Sequence, residues 1–214
     1  MSKQRFKNET KGKSKDVWLY GIHPVTLALK NKNRVIKELW LTNSAAGEFE
    51  IPKDIPFRIV DRSQIESVVG KEAVHQGVAL KTAPLKPYSI DDLLADTEND
   101  DKALVVILDQ VTDPHNIGAI MRSSVAFKAK AVIIPDAGAP EETGTLAKSA
   151  SGALELIPLI KVSNLARSME ALKKAGFWCV GMDGYAKESL NAHKLPQKCV
   201  IVMGSEGDGL RRLT

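Results

Sequence analysis

Cysteine is scarce in this sequence: Cys179 and Cys199 are the only two among 214 residues. Two thiols cannot build a disulfide framework, and both sit in apolar runs, so they read as reduced core residues of a cytosolic protein. No apolar run approaches the about 18 residues that a membrane-crossing helix needs. The N-terminus, MSKQRFKNETKGKSK, is too polar for a secretory signal. No Cys/His cluster has zinc-ligand spacing, so no metal is expected. A G-x-S-x-G elbow is missing, which leaves an α/β-hydrolase unsupported. No internal repeat shows at solenoid length.

What is present is ordinary in bulk and informative in its arrangement. Apolar residues make up 43% and charged residues 26%, which excludes disorder throughout. A chain of this length buries roughly 70% of its unfolded surface and needs no covalent staple. Basic side chains number 30 and acidic ones 26, a net charge of +4. Residues 1–16 hold Lys3, Arg5, Lys7, Lys11, Lys13 and Lys15 against Glu9 and Asp16. The whole excess therefore belongs to an arm, and the body from Val17 onward is neutral. Such an arm either touches nucleic acid, where each neutralised phosphate releases counterions, or simply keeps the chain soluble.

Composition shifts twice. The lysine-rich arm, 1–16, gives way to VWLYGI. Between 84 and 103, Pro84 and Pro87 precede a short acidic helix candidate, SIDDLLA, and then TENDDK. Prolines beside a polar, acidic stretch mark a linker. The expected division is therefore a first domain over 17–83, a linker over 84–103 and a second domain over 104–214. In the first, helices are expected over Pro24–Lys30 and from a Ser63 cap to Val69, with strands at Val35–Thr42, Phe57–Val60 and Val78–Lys81: a small α/β sandwich with Trp18 and Trp40 in its core. In the second, strands at Leu104–Asp109, Ala131–Pro135, Leu156–Ile160, Phe177–Met182 and Val200–Met203 alternate with helices at Asn116–Phe127, Leu146–Gly152 and Leu165–Ala175. That alternation requires crossovers and gives a parallel sheet with helices on both faces. Ligands of such sheets bind at the carboxyl ends of the strands.

Two loops at such ends carry candidate chemistry. In DQVTDPHNIGAIMRSS, Asn116 fits as the helix N-cap. Arg122 lies four residues beyond Gly118 on one helix face, so it can lean back over the glycine toward the strand end. There it either grips a phosphate or ribose, or makes a surface ion pair; His115 is a weaker candidate base. In VIVMGSEGDGLRRLT, Gly204 follows a strand directly, as a close backbone approach to a ligand would require. The glycine order is G-x-x-G-x-G rather than the dinucleotide pattern, no phosphate-loop lysine follows, and Glu206 and Asp208 would repel a pyrophosphate. A neutral or cationic ligand is easier to place, although a glycine-rich turn with helix-capping acids accounts for the same residues. In KSASGALELIPL, the small residues suit tight helix-on-sheet packing, and Glu155 reads as solvent-facing.

Taken together and in this order, LDQVTDPHNIGAIMRS, SASGALELIPL and VIVMGSEGDGLRRLT resemble the motifs of the SpoU (TrmH-type) branch of the SPOUT RNA methyltransferases. YGIHPVTLAL and HQGVAL resemble the ribosomal-protein-L30e-like substrate-binding domain attached to many members. The resemblance spans about 17–214 and is strongest to the bacterial enzymes that methylate a guanosine ribose of 23S ribosomal RNA. It implies an α/β fold: a small L30e-like domain, then a parallel-sheet α/β-knot domain with a trefoil knot near its C-terminal end. It further implies S-adenosylmethionine as cofactor, structured RNA as partner, a cytoplasmic homodimer, and no membrane or metal. Catalytic roles fall on Asn116, Arg122 and Glu206, and cofactor contacts on Gly204 and, more weakly, Met182. Family members continue into a third motif, whereas this sequence stops at Thr214 just after the second, so part of the knot and cofactor site is expected to be missing and the chain as given to be inactive. Transfer-RNA and resistance-type ribose methyltransferases, or a non-catalytic RNA-binding module, remain as alternatives.

Overall fold

The structure, a computed structural model, describes residues 16–190, 194–205 and 209–210. Its nine strands form two sheets among the described residues. The first is mixed, in the order β1-β4-β2-β3. β1 (Val17–Tyr20) and β2 (Ile36–Leu41) both run antiparallel to the central β4 (Val78–Thr82), and β3 (Phe57–Ile59) pairs parallel with β2. Its helices are α1 (Ile22–Lys30), α2 (Asn43–Ala46) and α3 (Arg62–Val69). The cap of α3 is Asp61, not Ser63: Asp61 and Gln64 form a reciprocal capping box, which satisfies two orphan donors at once.

The second sheet is entirely parallel, in the order β7-β6-β5-β9-β8. Its strands are β5 (Ala103–Leu108), β6 (Ala131–Pro135), β7 (Leu159–Val162), β8 (Trp178–Met182) and β9 (Lys198–Met203). Successive residues of β5 feed opposite faces. Val106 and Leu108 join a cluster with Ile117 and Met121 of α5 (Pro114–Ala126) and Leu146 of α6 (Gly144–Ser149). Val105 and Ile107 join Leu165, Met169 and Leu172 of α7 (Leu165–Lys174). This double burial explains the uninterrupted apolar run of β5. The expected strand at Leu156–Ile160 lies later, at β7, because Ala153–Glu155 forms a 3-10 turn and Pro158 follows it.

Residues 84–103 hold α4 (Ile90–Asp96), capped by Ser89, and its Leu93 is buried in the second sheet's cluster with Ala103 and Val105. The first sheet is joined to the second by a continuous core. Leu19, Leu39, Leu41 and Leu80 belong to the same cluster as Val106, Leu146, Ala150 and Ile157. Gly144 makes this approach possible, since a Cβ there would lie 2.4 Å from the backbone oxygen of Trp18. Within the joint, the Arg34 side chain is wholly buried between Glu155 and Glu142, and its guanidinium also donates to the Ala83 carbonyl at 3.2 Å. Glu155 is thus not solvent-facing: it takes hydrogen bonds from Arg34 Nε at 3.2 Å and from Asn31 Nδ2 at 2.7 Å. Burial alone would lower the Arg34 pKa, but the hydrogen bond it donates to Glu155 and the charges of both carboxylates outweigh it and raise it. Cys199 is buried and Cys179 half-buried, and burial raises both thiol pKa values.

Candidate functional site

The second sheet reverses its direction of growth between β5 and β9. From β5 the chain builds outward through β6 and β7, then crosses to the far edge for β8 and returns to place β9 beside β5. Loops leaving two such strands diverge and leave a crevice at their carboxyl ends. A cleft of about 440 Å³ lies there, lined by Gln110, Thr112 and Asp113 after β5, by Asn116, Ala119 and Ile120 of α5, and by Gly204 and Ser205 after β9. Among the described residues no lysine or arginine lines it. Gln110 holds a left-handed backbone (φ 62°), a conformation that costs a non-glycine residue energy and recurs at binding sites. Asp109, just before it, is fully buried.

The helix that borders this cleft begins earlier than the sequence indicates. Asp113 is the N-cap, its carboxylate accepting from the His115 backbone N–H at 3.0 Å, and Pro114 occupies the first turn. Asn116 is therefore not the cap. It sits inside the first turn, with its side chain on the cleft wall.

Arg122 lies six residues beyond Asn116, about 240° round the helix. That places it on another face, outside the lining of the cleft. His115, Gly118 and Arg122 share this second face, which meets the end of α6. A Cβ on Gly118 would stand 2.6 Å from the Ser149 backbone, so the glycine serves the contact between α5 and α6. Arg122 is exposed and donates through Nη1 to the Ser149 carbonyl, and the Ser149 hydroxyl is 2.9 Å from His115 Nδ1. The arginine does lean back beside Gly118, as its spacing indicates, but toward the last turn of α6 and not toward the β9 loop.

Gly204 also differs from its expected role. A Cβ there would come within 2.0 Å of the Gly209 backbone, so the close neighbour that demands glycine is the chain itself. Ser205 and Gly209 exchange backbone hydrogen bonds at 3.2 Å. Gly204 still forms part of the cleft wall. Glu206 lies outside the described residues, as do 211–214. Met182 ends β8, in register with Met203 of β9, one strand beyond the cleft. Sequence reasoning missed Gln110, Thr112, Ser149 and Ser205; a glutamine directly after an apolar strand gives no hint of a left-handed turn. Among the described residues no group of three or more metal-ligating side chains occurs, and no helix is long and apolar enough to cross a membrane.

Comparison with known proteins agrees with this geometry. The profile of the RNA 2′-O ribose methyltransferase substrate-binding family matches residues 18–88, and that of the SpoU rRNA methylase family matches 103–214. The 23S rRNA (guanosine-2′-O-)-methyltransferase RlmB of Pseudomonas putida is 35% identical over 206 residues, covering 92% of this chain and 82% of that protein. The enzyme of the same name from Pseudomonas aeruginosa is 38% identical over 211 residues, with the same coverage of both chains. The crystal structure of the SpoU methyltransferase AviRb from Streptomyces viridochromogenes, in complex with AdoMet, superimposes with a TM-score of 0.72 at 21% identity, over 92% of this chain and 76% of that one. Two sheets of this topology, a cleft where the second sheet reverses and the match of both profiles together establish that the chain belongs to the SpoU rRNA methylase family.

Proposed function

We propose that the protein transfers a methyl group from S-adenosylmethionine to a ribose 2′-hydroxyl of ribosomal RNA, on a guanosine of 23S rRNA. The observation that carries this reading is the cleft at the β5/β9 reversal, bordered by both motif loops in a chain 35% identical to RlmB over 206 residues. The described lining, which holds Asp113 and no lysine or arginine, suits a cationic sulfonium ligand. When bound, that cofactor supplies an electrophilic methyl group. Gly204 and Ser205 would hold it from the β9 side and Gln110 and Thr112 from the β5 side, with Met182 a more distant contact.

The remaining work falls on the chain. A ribose hydroxyl is a poor nucleophile until its proton is shed, here to solvent, as the methyl moves from sulfur to oxygen and the thioether S-adenosylhomocysteine is released. Arginine is always protonated, so Arg122 acts by charge: the guanidinium stabilises the developing alkoxide and grips the adjacent phosphate. Asn116, on the cleft wall, orients the ribose, and Glu206 fixes the substrate or Arg122 from the second loop. Because Arg122 stands on another face of α5 from its own cleft, the two are united in a homodimer, with the arginine of one copy serving the cleft of the other. Alignment of the two reactants alone can supply about 7–11 kcal/mol of the barrier reduction. The unit over 17–83 binds structured RNA, the segment 84–103 ties it to the catalytic unit over 104–214, and the basic residues of 1–16 add salt-sensitive affinity in the cytoplasm.

The test is incubation of 23S rRNA and methyl-labelled S-adenosylmethionine with a chain that carries the family's third motif after Thr214, because residues 1–214 alone are expected to be inactive, followed by mapping of the modified nucleotide. Label on a single guanosine 2′-oxygen is expected. Label on a base, or on transfer RNA alone, would overturn the reading.

A further inference from the structure

A second cleft, of about 780 Å³, lies away from the strand ends of the second sheet. It lies on the first unit, between the start of α2, the start of α3 and the loop 71–77. That loop contains the HQG stretch, which plays no part in the chemistry above. His75 is 3% exposed and lines the cleft. Its Nδ1 accepts the Gly77 backbone N–H at 3.1 Å, which fixes the neutral ring with its proton on Nε2. That Nε2–H is buried without a hydrogen-bond partner; the nearest carboxylate oxygen, on Glu66, stands 4.0 Å away. Of the buried side-chain nitrogen and oxygen atoms left unpaired among the described residues, it alone lines either cleft. A buried donor without an acceptor costs free energy unless a ligand supplies one.

The loop is built to hold this donor in place. Gly77 has φ +76°, and a Cβ there would come within 2.4 Å of Thr42 Oγ1. Its carbonyl accepts from the Thr42 N–H at 2.9 Å. Gln76 adopts φ 56°, again left-handed, and its side-chain oxygen accepts from Lys148 Nζ at 2.8 Å and from the Ile22 N–H at 3.3 Å. The loop is thus clamped to α1, α2 and α6. Beside the histidine, Val74 offers an apolar side chain that is 68% exposed. The charges on the cleft wall cancel: Arg62 and Lys71 face Asp61 and Glu72. A phosphate would gain little there. A flat, uncharged group with a carbonyl or ring-nitrogen acceptor fits both the donor and the apolar rim.

We infer that this cleft takes an unstacked nucleobase of the RNA substrate, with His75 Nε2–H donating to an acceptor on the base edge. RNA recognition commonly targets such splayed-out bases. The inference rests on the reading of the chain as an RNA methyltransferase and adds the place and chemistry of base recognition outside the methylation cleft.

The test measures binding of a 23S rRNA transcript, without cofactor, by the whole protein and by its His75→Phe and His75→Gln variants over a range of salt. His75→Phe, which removes the donor, is expected to weaken binding roughly 5- to 100-fold. His75→Gln, which can place an amide N–H at the same point, is expected to recover most of the loss. The dependence on salt should keep its slope, because no phosphate contact is lost. An unchanged affinity in His75→Phe, or a flattened slope, would overturn the inference. As a measurement that needs no variant, the wild-type protein is photo-crosslinked to 4-thiouridine-substituted 23S rRNA. Crosslinks within 71–77 support the cleft, and crosslinks confined to other peptides contradict it. Failure of the wild type itself to bind this RNA would overturn both this inference and the methyltransferase reading, whereas RNA binding and methylation untouched by His75→Phe would overturn this one alone.

Discussion

At the scale of single residues, Gly118 is decided by competition between helix propensity and packing. Alanine in mid-helix is favoured over glycine by about 1 kcal/mol. Here the added Cβ would meet the Ser149 carbonyl carbon at 2.6 Å and the Ala150 nitrogen at 2.7 Å. Both are backbone atoms, so no side chain can rotate out of the way, and overpacking of this kind costs about 1–3 kcal/mol. The clash therefore wins. Gly118→Ala is expected to lower the midpoint of thermal unfolding by about 2–4 °C, measured by circular dichroism. Methylation should fall with it, because Ser149 carries the contacts of both Arg122 and His115.

At the scale of elements, α6 and the turn after it join the two sheets. They pack on α5 from one side and on β1 and α1 from the other, and the buried Arg34 ties the turn to the first sheet. Replacing Arg34 by Met leaves the Glu155 carboxylate buried and uncompensated. Loss of one partner of such a pair costs about 3–5 kcal/mol. Urea denaturation of Arg34→Met should show this loss, and the double variant Arg34→Met/Glu155→Gln should recover part of it. If the single and double variants match the wild type, the buried pair carries no stability. These elements also mark what the sequence could and could not reveal. Strands such as β5, β6 and β9 were legible because burial on both faces leaves an unbroken apolar run. β1 was not assigned, since four residues of VWLY give too short a pattern. Glu155 was misread because its partner stands 121 residues away. Asn116 and Arg122 were both found on α5, but which of them faces the cleft depends on where the helix starts and on what packs against it, and neither is a property of spacing.

At the scale of the whole molecule, a shared core replaces a flexible joint. One buried cluster runs from Leu19 and Leu80 of the first sheet to Val106 and Ile134 of the second. The two units are therefore held at a fixed mutual position; under the proposal that the first captures a base, this would set the register of the ribose offered to the second. Such a joint predicts a single cooperative unfolding transition. Trp18 and Trp40, whose rings meet at a tilt of 58° with centroids 4.6 Å apart in the first sheet, and Trp178, on the edge of the second, report on both units. Their fluorescence and the far-ultraviolet dichroism should change together. Two separated transitions would show that the units unfold independently.

The central claim is that a permanent cation on α5 activates a ribose hydroxyl for a methyl donor held at the β5/β9 cleft. The most direct test compares Arg122→Ala with the wild type, both in a chain that carries the family's third motif after Thr214, measuring methyl transfer to 23S rRNA and, by calorimetry, binding of S-adenosylmethionine. The account predicts a loss of transfer of about 100-fold or more, with cofactor affinity unchanged. Transfer that persists in Arg122→Ala, or a loss that follows cofactor affinity alone, would contradict it.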